Sequence, residues 1–232
     1  LFDQAKYIDQ VQKAMKDYNF VDVRDTLMDH NDEYIYYKTD HHWTSAGACL
    51  AYDVWSERTG GEAETEDGLV KNVVSDKFRG SLYSKILDAD SAYDEIWTYG
   101  LQKDDAFGSK DCTVTIDEKQ QLDSIYDDEM LQKKDKYAYF LSGNYGQVHI
   151  QNQKAASKAK GKNILIIKDS FANSFVPFVT QDYENIYMVD LRYYNGDMKS
   201  YLQEHNITDV LVLYNISNFI SDRNLHKLTG GI

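Results

Sequence analysis

One proline, two cysteines and no apolar run near the roughly 20 residues that cross a bilayer are what this 232-residue chain has in place of linkers, staples and membrane spans. With Pro177 the only proline, nothing in it reads as a Pro-rich spacer between modules. Cys49 and Cys112 lack metal-ligand spacing, and a pair this far apart is either a disulfide or two buried thiols, so cysteine leaves the redox compartment open. Positive charge is also short. Against 38 Asp and Glu stand 25 Lys and Arg, a formal charge of -13, and such a field repels phosphate backbones and anionic membranes. No nucleic-acid partner is expected. No basic, apolar, small-residue signal precedes Phe2, yet the chain opens at Leu1 inside an amphipathic pattern, so an upstream signal, membrane anchor or structural segment is expected.

What is present suits a globular enzyme-sized domain: 42% hydrophobic residues exclude a disordered chain, and 27% charged residues supply an ordinary solvated surface. Phe2, Ala5, Ile8, Val11, Ala14, Met15 and Tyr18 recur at helical steps and predict a helix over about 2–18. Phe20–Val23 and Tyr34–Tyr37 read as short strands, the second delivering the chain to Thr39-Asp40-His41-His42-Trp43. A helical stripe follows from Trp43 and ends near Thr59-Gly60-Gly61. Residues 60–150, rich in Asp, Gly, Ser and Tyr, hold strand candidates at Ile96–Tyr99 and Cys112–Ile116 and read as a mixed strand-rich insertion or lid. The last third alternates strand 163–167, helix 171–179, strand 185–189, helix 198–205 and strand 209–214, the grammar of a parallel sheet flanked by helices. The expectation is a single α/β domain, its discontinuous core made of 1–59 and 151–232.

In open parallel sheets ligands gather at the carboxyl ends of the strands, where this sequence sets Lys168-Asp169-Ser170, Asp190-Leu191-Arg192 and Tyr214-Asn215. A serine between a strand and a helix displays its hydroxyl beside backbone N–H groups that stabilise an oxyanion. At this stage Ser170 is either such a nucleophile or, with Asp169, merely a helix cap. Asp40 and His42 supply a base and its orienting carboxylate for a Ser-His-Asp triad, while Asp40, His41 and His42 could instead hold a metal or one histidine could be a satisfied core residue. No further His-carboxylate cluster completes a metal shell, so no metal and no cofactor are expected. Arg192 reads either as a contact to an acyl carbonyl or anionic sugar or as an ion pair with a nearby aspartate, and Tyr214 as pocket lining or core.

The run Tyr36-Tyr37-Lys38-Thr39-Asp40-His41-His42-Trp43-Thr44 resembles the motif that names the bacterial DHHW protein family. Phe78–Tyr83, Ile167–Phe175 and Val189–Tyr194 resemble that family as well, so the likeness spans most of the chain. The family in turn is similar to the SGNH-like domains of alginate O-acetyltransferases, in which an Asp-x-His-Trp motif precedes an Asp-Ser-Phe-type nucleophile motif. That order is circularly permuted relative to ordinary SGNH esterases. The resemblance implies an SGNH hydrolase-like fold, with Ser170 as nucleophile, His42 as base, Asp40 as its orienter and His41 as a neighbour supporting the loop. It places Asn215 where the SGNH pattern has its oxyanion asparagine, and Arg192 where that pattern has glycine, a departure. It further implies an extracytoplasmic esterase or O-acetyltransferase acting on a carbohydrate or acyl ester. The rival expectations are a carbohydrate-binding or scaffold protein without turnover, and a metal-dependent hydrolase.

Overall fold

The computed structural model describes residues 2–61, 68–87, 90–155 and 158–229. In chain order its elements are α1 (Gln4–Ala14), α2 (Arg24–Asp29), α3 (Ser45–Arg58), β1 (Val70–Phe78), α4 (Ser81–Ile86), β2 (Asp94–Gln102), β3 (Asp105–Ala106), β4 (Cys112–Ile116), β5 (Gln120–Leu122), β6 (Gln147–Asn152), β7 (Asn163–Lys168), α5 (Val176–Val179), β8 (Asn185–Val189), α6 (Met198–Glu204), β9 (Asp209–Leu213) and α7 (Ile216–Ser221). A six-stranded sheet runs β5-β4-β6-β8-β7-β9, and a three-stranded antiparallel sheet runs β1-β2-β3. The fold is α/β.

Within the large sheet, β8, β7 and β9 are parallel, as the apolar runs of the last third predict. β6 joins β8 antiparallel and carries β4 and β5 outward. The 60–150 stretch therefore supplies the small sheet and much of the large sheet's antiparallel half, and the expected boundary at 150/151 falls inside β6. Side chains alternate across the pleat, so the sheet has two apolar faces. Val114, Ile150, Ile164, Ile166, Ile186 and Met188 pack toward α3 and the Phe171–Val179 segment. Leu165, Ile167, Tyr187 and Val189 pack toward Met198 and Tyr201 of α6.

Helix α3 is buried around much of its circumference because Ala46, Gly47, Ala48, Cys49 and Ala51 leave room for close neighbours. At Gly47 a Cβ would lie 2.4 Å from the Ile35 carbonyl oxygen, so only glycine lets this helix rest on the preceding loop. Cys49 and Cys112 are buried thiols, not a disulfide.

Three sequence expectations are corrected. Residues 20–23 form no strand; the chain is irregular there, and Val21 and Val23 simply pack on the core. Residues 34–37 make only one antiparallel bridge, Tyr36 with Trp43, because the chain reverses within the intervening residues and bonds back to itself, Tyr37 N to His42 O at 3.2 Å and Thr44 N to Ile35 O at 2.9 Å. The helix expected over 171–179 is split into a 3-10 turn at Ser170–Asn173 and the single turn of α5. Pro177 lacks an N–H and can sit only in the first turn of a helix, so α5 starts afresh there.

Candidate active site

The reversing loop 38–43 is set by a buried carboxylate at the start of β2. Asp94 Oδ1 accepts from Tyr34 Oη at 2.5 Å and Lys38 N at 3.0 Å, while Oδ2 accepts from Thr39 N at 2.7 Å and Thr39 Oγ1 at 2.5 Å. The Thr39 carbonyl in turn accepts from Leu82 N and Tyr83 N, both at 3.0 Å, fastening the loop to α4. These bonds consume the polar groups that a tight buried turn would otherwise leave unpaired.

On that loop Asp40 and His42 face inward, each 5% exposed. Asp40 Oδ1 accepts from His42 Nδ1 at 2.5 Å and from His42 N at 3.0 Å, and Oδ2 accepts from Ser81 N at 2.7 Å. Burial pushes the Asp40 pKa up, but the hydrogen bond and charge of His42 and the two backbone N–H groups outweigh it and hold the carboxyl well below its usual range. Ionised Asp40 accepts a hydrogen bond from the Nδ1–H of the neutral ring, the tautomer that leaves a lone pair on Nε2. That Nε2 stands 2.6 Å from Ser170 Oγ.

Ser170 is presented by the turn after β7. Asp169 Oδ1 caps the turn by accepting from Phe171 N at 2.9 Å, and its Oδ2 accepts from Asn215 N at 2.9 Å and Asn218 Nδ2 at 2.7 Å. Capping thus falls to Asp169, which frees the Ser170 hydroxyl for His42. Trp43 binds the two motifs together: its Nε1 donates to the Phe171 carbonyl and to Ser174 Oγ, both at 3.0 Å. Two residues before Ser170, Lys168 is 1% exposed and donates to Asn173 Oδ1 at 2.6 Å and Asn144 Oδ1 at 3.0 Å. Burial depresses its pKa to about 8, against the pull of Asp190 and Asp169.

Sequence reading missed Tyr137. Its ring stacks on His42 at 3.8 Å and 7°, and its hydroxyl donates to the Ser170 carbonyl at 3.0 Å. It lies in a short 3-10 turn, Lys136–Tyr139, within a tyrosine-rich stretch that has no period to expose it.

The other expected residues sit apart from the Asp40–His42–Ser170 hydrogen bonds. Arg192 forks onto Asp190, Nε to Oδ1 at 2.9 Å and Nη2 to Oδ2 at 2.5 Å, which is the ion-pair reading of this residue. Tyr214 Oη donates to Asp222 Oδ2 at 3.2 Å, and its ring meets Phe219 edge-on. Asn215 caps α7, its Oδ1 accepting from Ser217 N at 2.9 Å, so its side-chain NH2 is left as a donor. Asp40, His41 and His42 have ligand-type atoms within 4.8 Å of one another. Both ring nitrogens of His42 are already engaged, so a cation there would have to displace Asp40 or Ser170 from the imidazole.

The family model for DHHW proteins matches residues 4–189. Among solved structures, a DHHW family protein from Eubacterium siraeum aligns with a TM-score of 0.82 at 23% identity, over 100% of this chain and 75% of its own. Bacillus cereus PatB1 with a sulfonyl adduct aligns at 0.73 and 22% identity, over 94% of this chain and 75% of its own. The O-acetyltransferase domain of Pseudomonas putida AlgJ aligns at 0.50 and 11% identity, over 96% and 68%. These likenesses establish a shared α/β fold. No curated protein matches the sequence.

Proposed function

Since this chain belongs to the DHHW protein family, we propose that it is a serine-dependent acyl-transfer enzyme, an acetyl esterase or O-acetyltransferase working outside the cytoplasm on cell-envelope or extracellular polysaccharide. The observation that carries the reading is the single buried imidazole bonded at once to Ser170 Oγ, 2.6 Å away, and to Asp40, 2.5 Å away. Those are the contacts a nucleophile, its base and the base's orienter require.

In this reading Ser170 Oγ attacks the ester carbonyl while its proton passes to His42 Nε2, and Asp40 stabilises the resulting imidazolium. The Ser170 backbone N–H and the side-chain NH2 of Asn215 serve the oxyanion. Collapse expels the alcohol, which takes the proton from His42 and leaves an acyl-serine. Water then yields an esterase and a sugar hydroxyl an O-acyltransferase. The AlgJ domain is an O-acetyltransferase, which favours acetyl as the acyl group here, and the sequence resemblance to alginate O-acetyltransferases favours a carbohydrate as acceptor.

The test is p-nitrophenyl acetate turnover with intact-mass analysis, run on the wild type, Ser170→Ala and His42→Ala. Acetylated enzyme and p-nitrophenol release that disappear in both variants are expected, as is labelling of Ser170 by a sulfonyl fluoride. Equal signals from all three proteins would sink the triad. No turnover and no labelling, together with glycan binding shared by wild type and Ser170→Ala, would replace the enzyme reading with a binding protein.

A further inference from the structure

The proposed triad uses one of two adjacent histidines, and the other is the more exposed. His41 has a side chain 46% exposed where that of His42 is 7% exposed. Its ring lies against His42 at a centroid distance of 3.9 Å and approaches Phe171 at 6.0 Å. It is also tethered: Nδ1 is 2.6 Å from Ser81 Oγ, and the Ser81 N–H binds Asp40 Oδ2 at 2.7 Å. One carboxylate therefore orients His42 directly and His41 through Ser81. Among the described residues His41 Nε2 has no hydrogen-bond partner. A group fixed at one nitrogen, open at the other and in ring contact with the base is placed to meet whatever approaches that base from solvent.

We propose that His41 binds the acceptor alcohol, holding its hydroxyl beside His42 for attack on the acyl-serine. This inference rests on the serine acyl-transfer reading and gives the same site a preference for carbohydrate hydroxyls over water. The step balances without an added reagent. The acceptor oxygen bonds to the acyl carbon as its proton moves to His42 Nε2, the carbon–Ser170 Oγ bond then breaks, and His42 returns the proton to Oγ. His41 exchanges no net proton. Its contribution is orientation: water, small and abundant, reaches the acyl carbon without a guide, whereas a sugar hydroxyl must be aimed. Burial lowers the His41 pKa, a shift toward the neutral ring that can share a hydrogen bond with an uncharged hydroxyl.

The experiment follows acylation and transfer separately in the same sample. Wild type, His41→Ala and His41→Gln are given p-nitrophenyl acetate with cellopentaose as acceptor. Stopped-flow p-nitrophenol release reports acylation, and mass spectrometry reports the ratio of acetylated sugar to free acetate. His41→Ala is expected to lower that ratio at least tenfold beyond any loss in acylation rate, and His41→Gln, which keeps a side-chain donor and acceptor, to recover part of it. A ratio that stays constant, or acylation and transfer that fall together, would overturn the inference. So would a wild type that acylates and then only hydrolyses. A wild type that never acylates would overturn the serine reading itself, a distinct result.

Discussion

Gly80→Ala tests the geometry of the site without replacing Asp40, His42 or Ser170. A Cβ at Gly80 would fall 2.3 Å from both Asp40 Cβ and Asp40 Oδ2. The backbone there, φ -92 and ψ -152, is open to alanine, so the penalty is the collision and not a strained dihedral. To restore van der Waals separation Asp40 must retreat by about 1 Å. Its bonds to Ser81 N at 2.7 Å and His42 Nδ1 at 2.5 Å cannot survive that shift unchanged. Misplacement by about 1 Å costs on the order of 100-fold in rate, and complete loss of the orienting carboxylate's role about 10,000-fold, so kcat/KM for p-nitrophenyl acetate is expected to fall between those bounds. Overpacking of this kind costs about 1–3 kcal/mol in stability, which urea unfolding would register. Gly68→Ala is the control, because its Cβ would meet nothing within 4 Å. A folded Gly80→Ala protein within threefold of wild-type activity would refute the argument that Asp40 needs this placement.

Trp43→Phe removes the one donor shared by the Phe171 carbonyl and Ser174 Oγ; a loss of about 1–3 kcal/mol in denaturant unfolding is expected, and unchanged stability would show that the tie between the motifs is dispensable. Asp169→Asn keeps the size of the side chain but turns one carboxylate oxygen, each now accepting from donors, into an NH2 group that cannot. It should lower stability by about 2–3 kcal/mol in the same assay. Lys168 provides a test in alkali. The folded state sheds this proton near pH 8 and the unfolded chain near 10.5, so the unfolded state binds more protons between those values and stability rises with pH across that window. The cost of the buried charge, fully present below pH 8, is about 3 kcal/mol. In Lys168→Gln the difference in Tm between pH 8 and pH 10 should shrink, and an unaltered slope would assign the effect to other groups.

The parallel strands were readable because β7 and β8 are buried on both faces and leave almost uninterrupted apolar runs, Ile164–Ile167 and Ile186–Val189. β4 was equally plain, since its buried and half-buried residues alternate strictly from Cys112 to Ile116. Its place beside β6 was not, because pairing partners far apart in sequence leave no local mark. The same limit explains the loop 34–37, whose tyrosines and isoleucine favour a strand in any propensity scale but whose bonds go to a reversing turn. In the candidate site, Asp40, His42 and Ser170, which the fold brings into hydrogen-bond contact, stood out in two short motifs because each has a chemical type that a Ser-His-Asp triad demands. Tyr137 and Asp94 act through a ring face and through backbone N–H groups, roles that many other residues of this chain could fill, and nothing in their own neighbourhoods distinguishes them.

The bond between His42 and Ser170 joins residues 128 positions apart. During synthesis His42 emerges long before Ser170, and the loop that carries it has no hydroxyl to bond. Contacts of such long range form late, after the entropy of closing the chain has been met. Under the proposed serine mechanism a nascent or truncated chain therefore exposes an ordinary serine or none at all, and reactivity is expected only when the two ends of the domain have docked. Labelling of Ser170 would thus serve as a clock for the last stage of folding, read from a single hydroxyl.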